Sequence, residues 1–177
     1  EYFPADYVTE QMLVVYQTLL GLKFRRIEDA ALWHPDVKLY EITDAAGGEP
    51  IAYFYMDLFP REGKYKHAAA FSLIAGRLLP EGRYQKPVSS IVANFNKPTP
   101  ERPSLLTHDE VETFFHEFGH IIHQTLTKAR YGRFSGSSTA RAARSIAASR
   151  AASTRAFSSV SSRMAALRRW PSASYRL

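Results

Sequence analysis

Cysteine is absent from the 177 residues. That excludes a disulfide framework and any thiolate metal site, so a metal here must be held by His, Asp or Glu. Long apolar runs are also missing. No stretch approaches the roughly 18 residues of a transmembrane helix, and Glu1-Tyr2-Phe3-Pro4 lacks the basic start of a signal peptide. The expectation is a cytoplasmic protein with no transmembrane segment. There is no initiator Met, so a piece of a longer chain is expected. The third absence is of acid: no Asp or Glu follows Glu117. Residues 1–117 hold 12 Lys and Arg against 17 Asp and Glu, a net of −5, whereas residues 118–177 hold 11 Lys and Arg, a net of +11. A split this sharp indicates an attached basic tail or two sequences of different origin. The high overall pI therefore does not mark a nucleic-acid-binding chain.

What is present is globular. The hydrophobic fraction of 45% and aromatic fraction of 13% suit a packed core, and the length allows one domain. Residues 6–20 place Tyr7, Met12, Leu13, Tyr16, Leu19 and Leu20 at helical spacing, with Pro4 before and Gly21 after. Strand-like runs follow at 23–27, 37–45 and 51–59. The second and third read as a hairpin turning at Gly47-Gly48. Residues 60–66 form a polar turn, and 67–74 and 88–94 are two further strands or short apolar segments. Three prolines make 96–104 a loop. The fold class expected is α+β.

The clearest helix comes next. Thr107-His108-Asp109-Glu110 fits the capping box. Acids crowd its first turns, where the helix dipole favours them. Val111, Phe114, Phe115, Phe118, Ile121, Ile122 and Leu126 trace one apolar face. The helix is predicted over 107–129.

This helix carries His116-Glu117-Phe118-Gly119-His120. Positions i and i+4 share a face one turn apart, so both imidazoles can reach one ion. Zinc accepts neutral imidazole nitrogen. Glu117 projects to the side of that site, placed to take a proton from an attacking water and pass it to a leaving amine. The pattern is H-E-x-x-H. The bland alternative is a surface helix with two solvated histidines. His123 is a substrate contact, a support behind the ligands, or a plain half-buried histidine. His108 reads as solvated, His34 as a turn residue, and His67 as a strand-side residue that is cleft-facing or structural.

Residues 105–120, LLTHDEVETFFHEFGH, closely resemble the thimet oligopeptidase and oligopeptidase A family of zinc peptidases. So do residues 57–69, DLFPREGKYKHAA, and 92–104, VANFNKPTPERPS. Phe134-Ser135-Gly136 is similar to the segment that follows the family's helix. The resemblance covers about residues 1–140. It implies a zincin-like catalytic core, mainly helical, with a small antiparallel-rich sheet beside the active-site helix. It implies one zinc ion held by His116 and His120, Glu117 as general base, and short peptides as substrates, with no substrate-binding residue assigned. A monomer is expected, and no nucleic-acid partner.

The chain then departs from that pattern. The family's third ligand is a Glu in an Asp-Phe-Val-Glu run, and counting from His120 puts it at Ser145, with Ala142, Ala143 and Arg144 before it. Residues 141–177 are rich in Ala, Ser and Arg, which suggests a reading-frame shift or rearrangement. Phe157, Val160, Met164, Leu167 and Trp170 have helical spacing there, so a basic amphipathic helix is open. The expected organisation is a partial catalytic domain at 1–140 and a basic tail at 141–177. The expected consequence is impaired hydrolysis; the alternative is a degenerate scaffold that binds peptides without cutting them.

Overall fold

The computed structural model describes residues 2–136. The expected boundary at residue 140, the possible tail helix and Ser145 lie outside the described residues. The elements run β1 (Phe3–Pro4), α1 (Ala5–Leu20), β2 (Leu22–Ile27), β3 (Lys38–Asp44), β4 (Ala52–Asp57), β5 (Ala69–Ile74), β6 (Arg77–Leu78), β7 (Tyr84–Gln85), β8 (Val88–Val92), β9 (Leu105–Leu106) and α2 (His108–Thr125), with a short 3₁₀ turn at Gly132–Phe134. The architecture is α+β: two helices on a mixed sheet.

The main sheet has five strands in the order β2-β3-β4-β8-β5. All its pairs are antiparallel except β4 and β8, which run parallel with Tyr53 opposite Val88 and Asp57 opposite Val92. The β3–β4 hairpin forms as expected. Asp44 starts its turn by accepting from Ala46 N at 2.9 Å, and Gly47 and Gly48 take φ of 98° and 110°, which side chains rarely tolerate. Two pairings have no signal in the sequence. The two-residue strand β1 pairs with β9, and β6 pairs with β7.

Helix α1 buries only part of the predicted stripe: Met12 and Tyr16 are buried and Leu13 packs against the core. Ala5, Val8, Thr9, Met12 and Tyr16 face the core. Tyr7, Leu19 and Leu20 are exposed. The steps of three and four from Ala5 to Tyr16 are as regular as the predicted set, but they run through smaller and more polar residues that a hydrophobicity count underweights. Gly21, at φ 65°, ends the helix.

Helix α2 follows the prediction closely. Val111, Phe114, Phe115, Phe118, Ile121 and Ile122 are buried, and Leu126 packs partly against them. The helix lies over β8, β5 and β4. Phe118 is the hub, with ring centroids 5.0 Å from Tyr16, 5.9 Å from Phe24 and 5.4 Å from Phe54, all edge-on. Tyr16 Oη also donates to Phe115 O at 3.2 Å, tying the two helices. The C-terminus comes earlier than residue 129. Tyr84 Oη donates to Thr127 O at 2.9 Å and Leu78 N to Arg130 O at 3.0 Å, so the chain leaves the helix to meet β6 and β7.

Residues 60–66 are more than a polar turn. The Lys64 side chain is 3% exposed and that of Asp57 is 4% exposed, with Nζ 2.9 Å from Oδ1. Lys64 Nζ also donates to the carbonyls of Asp57 at 2.9 Å, Phe59 at 2.6 Å and Ala93 at 2.6 Å. Arg61 grips Asp57 with two hydrogen bonds at 2.7 and 2.8 Å, and Trp33 Nε1 adds a third at 3.2 Å. Burial alone would raise the Asp57 pKa, but the bonds from Arg61, Lys64 and Trp33 override it and hold the carboxyl at about 2. Burial pushes the Lys64 ammonium below its ordinary value, against the pull of Asp57. This knot locks the end of β4 to the end of β8, the strand beneath α2.

Candidate metal centre

The site is built on a helix whose start is fixed by its own sequence. Thr107 Oγ1 accepts from Glu110 N at 3.3 Å, and Glu110 Oε2 accepts from Thr107 N at 2.7 Å. Both halves of the capping box are present. The buried phenylalanines then set the rotation of the helix. With Phe114 and Phe118 against the sheet, a turn of 3.6 residues puts His116 on the opposite side. His116 is exposed, and Glu117 and His120 are half-buried.

His116 Nε2 and His120 Nε2 lie 3.2 Å apart. The ring centroids are 4.8 Å apart and nearly perpendicular, at 83°. Two imidazole nitrogens bound at 2.0–2.1 Å to one tetrahedral zinc ion sit about 3.3–3.4 Å apart. The spacing therefore fits a shared cation as well as it fits a shared proton. Glu117, one residue on from His116, turns about 100° around the helix axis to the flank of the pair.

A third ligand is not supplied nearby. Among the described residues, no group of three or more His, Cys, Asp or Glu is placed to hold a metal. Residues 137–177 contain none of these four residue types. His123, one turn beyond His120, is half-buried, and its Nδ1 is buried with no hydrogen-bond partner. Burial, and secondarily the neighbouring His120, lowers its pKa and favours the neutral ring. His108 is exposed, 4.0 Å from Asp109. His67 is exposed and meets the Tyr65 ring edge-on at 5.6 Å. His34 Nδ1 accepts from Asp36 N at 3.2 Å within its turn.

Two clefts flank α2. One of about 240 Å³ lies at its first turns, between Lys66, Asn94, Phe95, Asp109, Glu110 and Thr113. The other, about 680 Å³ and mainly apolar, lies past its C-terminus, between Leu22, Ile51, Tyr84, Leu126 and Thr127. Neither is lined by His116, Glu117 or His120. Only an unusual density of charge just after an apolar strand marks the buried Asp57–Lys64 pair in the sequence.

Residues 1–151 match the model of peptidase family M3. Thimet-like oligopeptidase of Dictyostelium discoideum is 50% identical over 142 residues, covering 80% of this chain and 21% of that protein. Saccharolysin of Saccharomyces cerevisiae is 40% identical, covering 77% of this chain and 20% of its own length. Oligopeptidase A of Escherichia coli is 37% identical, with coverage of 76% and 20%. The chain thus spans about a fifth of the length of these curated relatives. With the H-E-x-x-H helix inside the matched stretch, this chain belongs to peptidase family M3.

Proposed function

We propose that this chain carries the metal-binding segment of a zinc-dependent metalloendopeptidase, an oligopeptidase that hydrolyses short peptides. The observation that carries the proposal is the 3.2 Å approach of His116 Nε2 and His120 Nε2 on one face of α2, with Glu117 beside them. His116 and His120 would hold one zinc ion. When bound, the ion supplies Lewis acidity and makes a water more acidic. Glu117 takes the proton of the attacking water and delivers it to the leaving nitrogen. The helix, pinned by its cap and by Phe118, keeps these side chains in register. In this reading residues 1–140 are part of a zincin-like catalytic domain and residues 141–177 a basic tail. In this reading the protein is cytoplasmic, its partners are short peptides, and it is a monomer.

Hydrolysis by residues 1–177 alone is impaired. A catalytic zinc site ordinarily has three protein ligands plus water; here the position expected for the third is Ser145. The lack of a three-ligand group among the described residues favours a second reading, a scaffold that binds peptides without cutting them. A quenched short peptide assay with added zinc separates the two. Turnover that is lost in Glu117→Gln supports the enzyme. Peptide binding that is indifferent to chelator, with no turnover, supports the scaffold.

A further inference from the structure

Two tyrosines donate their hydroxyls to backbone carbonyls in and just after α2, at different places. Tyr84 Oη reaches Thr127 O at 2.9 Å, two residues past the helix. Tyr16 Oη reaches Phe115 O at 3.2 Å, in the turn that carries the histidines. That carbonyl belongs to the residue before His116. In a regular α-helix it also receives the N–H of Gly119, the residue before His120. The Tyr16 ring meets Phe118, midway between the two histidines, edge-on at 5.0 Å. One side chain therefore holds this turn by a carbonyl at its start and a ring at its middle.

Tyr16 is itself held. It is 5% exposed, and a phenylalanine would fill the same space, so what the hydroxyl adds is the bond. The helix that carries it begins at β1, whose Phe3 and Pro4 pair with Leu106 and Leu105 just before the α2 cap. Ala5 N also donates to Ser104 O at 2.9 Å. Helix α1 is thus fastened to the entry of α2 at one end and, through Tyr16, to the histidine-bearing turn. Two fixed points resist both sliding and rotation of α2 on the sheet.

We infer that Tyr16 is a positioning residue for the zinc site: its hydroxyl on the Phe115 carbonyl holds the turn in which His116 Nε2 and His120 Nε2 stand 3.2 Å apart. The inference rests on the metal-binding reading above and adds to it a residue outside the motif helix. Tyr16 acts through the backbone of α2, not on the ion. Linkage makes the claim reciprocal: a bond that favours zinc binding must itself be favoured by bound zinc, by the same factor.

Zinc titration and urea unfolding of the full 177-residue chain, with Tyr16→Phe and Tyr84→Phe beside it, test this. Each variant loses one hydroxyl and one bond to a backbone carbonyl. Tyr16→Phe should weaken zinc binding by about 2–10-fold, the factor that the net contribution of one hydrogen bond corresponds to. Tyr84→Phe should leave the affinity at the parent value. The stability cost of Tyr16→Phe should be larger in zinc than in EDTA by that same factor, and the cost of Tyr84→Phe should be equal in both. A tyrosine that is only structural would cost the same stability with and without zinc and leave the affinity of the folded chain unmoved. That result overturns the inference and leaves the zinc site standing, as does an equal loss of affinity in both variants. A parent chain that retains no zinc overturns both. If Tyr16→Phe does not fold, the unsubstituted chain decides: zinc should shift the ring Cζ resonance of Tyr16 and not that of Tyr84, and no shift at Tyr16 overturns the inference.

Discussion

Lys64 and Asp57 form a buried ion pair at 2.9 Å, and the lysine simultaneously bridges carbonyls from both strands of the parallel seam, Asp57 and Phe59 on one side and Ala93 on the other. Removing one partner strands the other. Lys64→Met should destabilise the chain by roughly 3–5 kcal/mol, the usual cost of leaving a buried charge uncompensated. The double variant Lys64→Met, Asp57→Leu should recover part of that loss. Urea unfolding of the three proteins measures it, and a double variant worse than either single one would count against the pair acting as a unit.

The same pair predicts an acid limb. The Asp57 carboxyl sits at about 2 in the folded chain, against an ordinary 3.8. A lowered folded pKa stabilises above the unfolded value and loses that contribution as pH falls through the folded one. Stability from this group should therefore be complete above pH 3.8 and decline toward pH 2. Asp57→Asn should flatten that limb while lowering stability at neutral pH. Thermal unfolding across pH 2–7 reports both.

Thr107 starts the helix that bears His116 and His120. Thr107→Ala should cost about 1 kcal/mol, and Thr107→Gly only a few tenths more than the parent, because glycine tolerates the cap conformation. Equal losses for both would mean that the lost hydroxyl bond, not the backbone conformation, sets the cost. Hydrogen exchange of the first turn of α2 gives a local reading.

Zinc affinity should depend on both histidines. Removing a group that merely supports a ligand already lowers metal affinity by about 10–100-fold, so His116→Ala or His120→Ala should each lower it further than that. Glu117→Gln should leave affinity near the parent value and depress any turnover by about 10²–10⁴-fold. Isothermal titration with zinc and a peptide assay on the same samples separate binding from proton transfer.

Helix α2 was legible in the sequence because three signals coincide there: a capping box, a stripe of large apolar residues and the H-E-x-x-H spacing. Phe114 and Phe118 fix its rotation, and both are unmistakable. Helix α1 was legible in extent but only partly in face: Met12, Leu13 and Tyr16 meet the core as read, whereas Ala5, Val8 and Thr9 bury as well as larger side chains do when a sheet lies against them. The role of Lys64 was invisible for a plainer reason. Lysine is ordinarily solvated, and its burial depends on three carbonyls that only the folded seam brings together. The short pairs β1–β9 and β6–β7 could not be read, because two residues carry no periodicity.

The parallel register of β4 and β8 also has a kinetic meaning. Partners in this seam, such as Tyr53 and Val88, lie 35 positions apart, and the chain between the strands must loop back before the first bond of the seam can form. Closing such a loop costs entropy before any contact repays it. The helix bearing His116 and His120 rests on this seam, so its packing belongs to the last steps of folding. An unfolded or newly made chain holds the two imidazoles only as neighbours in sequence; their 3.2 Å spacing is a late product of assembly, and metal capture should trail collapse in a refolding experiment.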